Sequence, residues 1–332
     1  MMKNGVTKMK KNFDVVALGE LLIDFTQHGI SEQGNPLFEA NPGGAPANVL
    51  SMLEKLGRKT AFVGKVGDDG FGNQLDDALK EQNIDTRWLY RDKVVHTTLA
   101  LVHKLPNGDR DFSFYRKPGA DVMLTADEIG EEMFAGTCIF HLGSLSLTEE
   151  PVKSATIKAL ELAKQHGCII TFDPNLRPPL WDSLEIAKKE IAYVMERCDV
   201  LKISDNEITW FTGENDYDAG VSWLFAHYPN IKLLTLSMGP DGSRAYCHGV
   251  KVEEPAFLSD KTVETTGAGD TFCACLLNFV LEHGLEDLRE ADLKEMLKFG
   301  NAAASLITMK KGALRVMPER KDVENYIREC GR

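Results

Sequence analysis

No two of the seven cysteines form a Cys-x-x-Cys pair, and the set is odd in number and scattered from Cys138 to Cys330. Such spacing builds neither a disulfide framework nor a tetrahedral zinc site, and it suits a reducing cytoplasm. No apolar run approaches the ~18 residues of a membrane-crossing helix, which excludes a helical span. Basic residues are in deficit, with 38 Lys and Arg against 50 Asp and Glu for a formal net charge of -12. That balance argues against nucleic acid as a partner, because binding a phosphate backbone draws on a basic face and the counterions it releases. A Gly-x-x-x-x-Gly-Lys-Ser/Thr run is missing, and with it a Walker-type phosphate loop. There is no internal repeat, low-complexity tract or linker. Residues 1–12 carry four lysines with no apolar segment of the signal-peptide kind behind them, and they are expected to form a mobile tail.

What is present is a large apolar complement. Of 332 residues, 43% are hydrophobic and 27% charged, which permits a sizeable core and argues against disorder. Short apolar runs bounded by Gly or acidic residues, at 15–18, 61–63, 139–142, 169–172, 200–203 and 233–236, read as strands buried on both faces. Between them, residues 71–82 and 151–165, the latter closed by Gly167, carry the helical period. Strand alternating with helix predicts an α/β fold over residues 13–326, with a doubly wound, mostly parallel sheet flanked by helices. One region breaks the rhythm: 97–103 and 110–115 alternate with period two around Pro106-Asn107-Gly108-Asp109, the pattern of a hairpin. Residues 21–25 and 37–39 are suited to pair with it. A small β-sheet lid built from segments about 20–42 and 95–120 is therefore expected over the carboxyl edge of the main sheet.

The most informative segment is Thr265-Thr266-Gly267-Ala268-Gly269-Asp270-Thr271-Phe272, followed by an apolar helical run to His283 and Gly284. Two glycines around an alanine let the backbone turn sharply, so that N–H groups point outward at a helix N-terminus. Such a terminus holds phosphate and offsets charge on a transferring phosphoryl group. In the first turn, the Asp270 carboxylate can take the proton of an attacking hydroxyl. The alternative is an ordinary helix start, where Asp is favoured by capping and dipole. The segment fails the dinucleotide Gly pattern at its sixth position, which weakens a dehydrogenase reading.

Other segments carry polar groups in suitable places. Asn41-Pro42-Gly43-Gly44-Ala45-Pro46-Ala47-Asn48 leads into a helix expected over 49–56. The glycine pair admits a ligand close to the backbone, and Asn48 offers both donor and acceptor to a hydroxyl, unless this is a plain loop-to-helix joint. Asp24, after the first strand, can accept two hydrogen bonds from vicinal hydroxyls, or is an exposed Asp on a strand. Asp173-Pro174-Asn175-Leu176-Arg177-Pro178-Pro179-Leu180-Trp181 ends a buried strand in a Pro-braced turn. Lys202-Ile203-Ser204-Asp205-Asn206-Glu207 follows another, with Glu207 either an outer-sphere carboxylate for Mg²⁺ or an acidic first-turn residue of a helix. His141-Leu142-Gly143-Ser144 ends a strand at the same edge, and a buried His is the competing reading there.

Together these segments resemble the ribokinase-like (phosphofructokinase B) family of carbohydrate kinases over roughly residues 13–326, with two signatures in the expected order and spacing. The run ending in Asp270 resembles the second signature, Asp-Thr-Thr-Gly-Ala-Gly-Asp, and Gly-Gly-Ala-Pro-Ala-Asn-Val is similar to the first in its fructokinase form. The resemblance implies that Asp270 is the catalytic base and that Gly267, Ala268 and Gly269 form the anion hole. It implies sugar contacts from Asp24, Gly43, Gly44 and Asn48, with Asp173 on the same side. Arg116, in Tyr115-Arg116-Lys117-Pro118-Gly119-Ala120-Asp121, matches an Arg-x-x-x-Ala-Asp pattern at the substrate mouth. Nucleotide contacts are implied for Lys202, Thr235, Ser237, Gly239, Gly242, Asn301 and Gly312. Glu207 is implied to position Mg²⁺ through water, with Ser204 replacing the family's Asn. Glu264 stands where the signature has Asp, a carboxylate that in many members ligates a monovalent cation; Glu264 is the candidate ligand for K⁺, and the change from Asp argues against activation by it.

The activity implied is an ATP-dependent sugar kinase turning D-fructose into fructose 6-phosphate with release of ADP. An alternative is 2-keto-3-deoxygluconate kinase, whose substrate carboxylate would need a cation such as Arg116 or Arg177. An alternative of another class is a catalytically silent sugar-binding regulator, which the retention of Asp270 and the glycines argues against. A cytoplasmic enzyme with no nucleic acid or membrane partner is expected, and the alternating hairpin is compatible with a homodimer through the lid.

Overall fold

In the computed structural model, which describes residues 12–104 and 110–331, strand β1 (Phe13–Leu18) shows why a two-sided sheet forms. Val15 and Ala17 enter one hydrophobic core, Val16 and Leu18 enter another, and none of the four is exposed. A strand apolar on both faces needs cover on both.

Among the described residues, twelve further strands follow: β2 (Leu22–Ile30), β3 (Pro36–Gly43), β4 (Thr60–Gly67), β5 (Asp85–Asp92), β6 (Leu99–Lys104), β7 (Arg110–Tyr115), β8 (Thr137–Leu142), β9 (Ile169–Phe172), β10 (Val200–Ser204), β11 (Leu233–Ser237), β12 (Ser243–Cys247) and β13 (Val250–Glu254). The cover comes from helices α1 (Ala45–Lys55), α2 (Gly70–Glu81), α3 (Val152–Gln165), α4 (Leu184–Met195), α5 (Asp205–Thr212), α6 (Tyr217–His227), α7 (Ala268–His283), α8 (Glu290–Thr308) and α9 (Arg320–Glu329). Buried side chains of α1, α2, α7, α8 and α9 join the core of Val15, and those of α3 to α6 join the core of Val16.

The main sheet has the order β13-β12-β11-β10-β9-β8-β1-β4-β5. It is parallel from β5 to β11, and an antiparallel β12-β13 hairpin closes one edge. All six predicted strands lie in it. Because β1 is flanked by β4 on one side and β8 on the other, the winding reverses there, and the crevice beyond the carboxyl ends of β1 and β8 is where such sheets bind ligands.

The predicted hairpin is β6-β7, and with β2 and β3 it makes a separate sheet of order β3-β2-β6-β7. The predicted turn at 106–109, and the predicted tail apart from Asn12, lie outside the described residues. One boundary is corrected: α1 starts at Ala45, four residues before the expected 49. Pro46 in its first turn has a φ suited to the helix and loses no needed N–H, so Asn48 is inside the helix and not ahead of it. No helix among the described residues is long and apolar enough to cross a membrane.

Candidate active site

Helix α7 begins at the residues singled out in the sequence. Gly267, its N-cap, has φ of +78°, and a Cβ there would come within 2.8 Å of the Ala313 Cβ. Glycine therefore meets both a left-handed backbone and a close neighbour. The Ala268 amide donates to the Thr265 carbonyl at 3.2 Å, and the Thr271 amide closes the first turn on the Gly267 carbonyl at 2.8 Å. The next amides, of Gly269 and Asp270, lie in the first turn, where the helix itself offers no acceptor four residues back.

The N-terminal turn of α1 faces this one. Asn48 Nδ2 donates to Asp270 Oδ2 at 2.8 Å, across 222 residues of sequence. Burial raises the Asp270 pKa, while the Asn48 hydrogen bond and the charges of Lys202 and Arg177 hold it down. The other amide atom, Asn48 Oδ1, is buried and has no hydrogen-bond partner. Such an orphan costs free energy until something donates to it, and a hydroxyl bound in the adjoining cleft would do so.

That cleft, of about 570 Å³, is lined by Glu20, Asp24, Asn48, Asn175, Arg177 and Asp270, with Leu22, Phe114 and Leu145 as its apolar side. Gly44, at φ +128°, lets the chain pass where a Cβ would strike the Glu20 carbonyl, and a Cβ on Gly43 would strike the Asp24 carboxylate. Gly44 lines the cleft; Gly43 does not, and its smallness serves Asp24 from behind. Burial pushes the Asp24 pKa up to about 7 against the pull of Arg177, with Glu264 and Asp270 adding to the rise. Burial likewise lifts Glu20 to about 7, although its carboxylate accepts the Ala45 amide at 2.8 Å. An ionised Asp24 accepts from two hydroxyls, whereas a protonated one has lost an acceptor site. The specificity constant for a polyol substrate is therefore expected to fall as pH drops through about 7, the free-enzyme pKa that kcat/KM reports. A kcat/KM profile that is flat from about pH 5.5 to 8.5 would contradict this role for Asp24.

A second cleft of about 380 Å³ opens between the β11-β12 turn, α8 and the start of α7, and it shares Thr262, Thr265 and Gly269 with the first. Ser237, Gly239, Gly242, Ala268 and Asn301 line it, against an apolar wall that includes Phe257, Leu258 and Phe272. The polar atoms of Asn301 serve the protein: Oδ1 accepts from Ser243, and Nδ2 donates to the carbonyls of Glu254 and Pro255. A third opening of about 560 Å³ carries Lys202, Ser204, Glu207 and Ser237. Glu207 also caps α5, accepting the Ser204 amide and hydroxyl and the Leu176 amide. Glu264 lines the first cleft and a small neighbouring hollow.

Several expected contacts lie elsewhere. Arg116 does not reach the cleft, because its guanidinium is buried and donates to Asp121, the Leu145 carbonyl and Thr148. Asp173 stands behind the cleft wall, 2.9 Å from the Lys202 ammonium. Thr235 is buried within the central sheet with no partner for its hydroxyl, and it lines neither cleft. Gly312 borders the small hollow beside Asp24 and Asn41, away from the second cleft. His141 is a buried histidine, 3.0 Å from Thr171 and held neutral by burial, with its pKa lowered to about 3. Sequence reasoning overlooked Glu20, although a carboxylate two residues beyond the first strand β1 was a usable signal. It also overlooked Phe114, Phe257 and Leu258, which no local pattern marks.

A half-buried carboxylate next to Gly269, which lines both clefts, at the switch point of a largely parallel sheet, suits an enzyme that transfers a group to an alcohol. The chain belongs to the pfkB family of carbohydrate kinases, whose family model matches residues 12–320. It is 43% identical over 308 residues to fructokinase-2 of Solanum lycopersicum, covering 92% of this chain and 93% of that one. A solved fructokinase with bound ATP from Xylella fastidiosa superposes with a TM-score of 0.86 at 28% identity, covering 96% of this chain and 99% of that one. A fructokinase from Vibrio cholerae O395, bound to fructose, ADP and calcium ion, superposes at 0.84 and 28% identity, covering 95% and 99%.

Proposed function

We propose that the protein is an ATP-dependent fructokinase that moves the γ-phosphoryl group of ATP onto D-fructose, giving fructose 6-phosphate and ADP. The observation that carries this reading is the Asp270 carboxylate, held by Asn48 in the first cleft and next to Gly269, which lines both. Asp24 and the unpartnered Asn48 Oδ1 accept hydrogen bonds from sugar hydroxyls. Asp270 takes the proton as the hydroxyl oxygen attacks phosphorus, and the amides at the start of α7 face the phosphoryl oxygens. The nucleotide lies in the second cleft, with its base on the apolar wall near Phe257. Magnesium on the phosphates would supply further positive charge. No group of three or more His, Cys, Asp and Glu among the described residues could hold a metal ion, so it would be bound chiefly by phosphates and water, with Glu207 accepting from that water. The small sheet acts as the lid, since Leu22 and Asp24 of β2 and Phe114 of β7 form one side of the sugar cleft.

Fructose is preferred to 2-keto-3-deoxygluconate on electrostatic grounds. Glu20, Asp24, Glu264 and Asp270 all line the cleft, against the two cations Arg177 and Lys202; Lys202 is paired with Asp173 and Arg116 is committed to Asp121, which disfavours a substrate carboxylate. A coupled ADP-release assay across fructose, 2-keto-3-deoxygluconate, ribose and nucleosides tests this. Faster turnover of the sugar acid would reverse the assignment, and sugar binding without ADP release would favour the silent regulator. With Glu264 in place of the signature Asp, the reading includes no potassium requirement, and rates in potassium and choline chloride are expected to agree. A cytoplasmic setting suits the free thiols. A homodimer through the lid would cover Ile30, Leu37 and Phe38, which are 59%, 49% and 39% exposed.

A further inference from the structure

The chain leaving β1 runs into β2 with the two-residue period of a strand. Leu21 and Ile23 are buried in the core of Val15, and the alternate side chains of Glu20, Leu22 and Asp24 line the sugar cleft. Glu20 is 5% exposed. Its Oε1 accepts the amide of Ala45, the first residue of α1, at 2.8 Å. Among the described residues, no second residue donates to Oε2, and no Lys or Arg pairs with the carboxylate. Arg116, whose charge acts on it, is held by Asp121. Yet Oε2 is not sealed in the interior, so its lone pairs open on the cleft that the side chain lines. An ionised carboxylate has about four lone-pair sites, and taking its charge out of water is costly unless donors replace the water. Burial accordingly pushes the Glu20 pKa up to about 7, and its own amide, the Ala45 amide and Arg116 bring it back only in part. Holding α1 is a weak reason for a charge here, since a glutamine in the same place would accept the Ala45 amide without one.

We infer that Glu20 is a specificity-determining residue of the sugar site: Oε1 holds the first turn of α1, and Oε2 accepts a hydrogen bond from a substrate hydroxyl that Asp24 does not hold. This rests on the proposed sugar kinase activity. The two carboxylates, four residues apart on one wall, then read two separate hydroxyls of a neutral polyol.

Glu20→Gln keeps an oxygen for the Ala45 amide, so it should melt at the parent's temperature, while Oε2 gives way to a neutral amide nitrogen. At about pH 8.5, above the pKa of the parent's carboxylate, its KM for fructose is expected to rise about tenfold with kcat within about threefold of the parent's, as for loss of a charge-assisted bond made equally before and during the reaction. Fructose analogues that each lack one hydroxyl other than the reacting one test the contact itself. One of them should lose about 100-fold in kcat/KM with the parent, because it leaves a buried acceptor unpaired, and no more than about tenfold with Glu20→Gln. The other analogues should lose the same factor with both proteins. Equal losses in the two proteins for every analogue, or a parent-like KM in the folded variant, would overturn the inference and leave Glu20 as a cap of α1. If Glu20→Gln does not fold, Glu20→Asp, which keeps the charge on a shorter side chain, takes its place, and the same analogue should stand out. If the parent turns over another sugar and not fructose, the function reading fails, while the same comparison on the deoxy forms of that sugar still decides Glu20; binding of no sugar would end both.

Discussion

Asp270→Asn should fold like the parent and lose about 10² to 10⁴ in kcat, the span that a positioned general base contributes. The size of the loss follows from how completely the site isolates this carboxylate. It is half-buried at the first turn of α7, and Asn48 Nδ2 donates to it at 2.8 Å. An asparagine of the same shape can still accept that hydrogen bond through its own oxygen, so the turn and the cleft wall persist. What it cannot do is take a proton from the attacking hydroxyl. The other cleft carboxylates are placed differently: Glu20 is engaged with the Ala45 amide, Asp24 belongs to β2 of the small sheet, and Glu264 precedes the start of α7. Because Asp24 and Asn48 do the holding, KM for fructose should move far less than kcat. Steady-state kinetics with a thermal melt on each protein check this, and turnover at the parent's rate in the folded variant would remove Asp270 from the chemistry.

The parts of this site that were legible in the sequence are those whose meaning is local. The Gly267-Ala268-Gly269-Asp270 run encodes a turn and a helix start within four residues, and β1 declares its two-sided burial through consecutive apolar residues. What was not legible depends on who meets whom across the fold. Asn48 and Asp270 are 222 positions apart, and only the apposition of α1 and α7 makes them partners. Arg116 looked like a free cation at the substrate mouth because nothing in its neighbourhood reveals that the Leu145 carbonyl and Thr148 will fold over it. Thr235 was read as a nucleotide contact two residues too early: Ser237 reaches the end of β11, whereas Thr235 is still inside the sheet. Asn301 does lie against the second cleft, but its amide was needed to tie the β12-β13 edge to α8, a debt of the fold that no spacing announces.

The buried cation at Arg116 sets the largest stability effect. Its side chain and that of Asp121 are 3% and 1% exposed, with Nε 2.7 Å from the carboxylate. Asp121 also accepts from the Thr98 hydroxyl. Thr98 immediately precedes β6 and Arg116 immediately follows β7, so one carboxylate gathers both ends of the β6-β7 hairpin, while Arg116 fastens them to the Leu145 carbonyl at 2.9 Å. Removing one partner of a buried ion pair costs about 3 to 5 kcal/mol, because the other charge stays buried without compensation. Asp121→Ala should accordingly lower the urea midpoint by roughly 1 M or more. Replacing both charges, as in Arg116→Met with Asp121→Leu, should cost much less, since no uncompensated charge is left behind. Leu145 also lines the sugar cleft, so in Asp121→Ala the KM for fructose should rise together with the loss of stability. Unfolding of Asp121→Ala at the parent's urea midpoint would mean that Arg116 finds water or another acceptor when its partner goes, and that the β6-β7 hairpin is seated by something other than this pair.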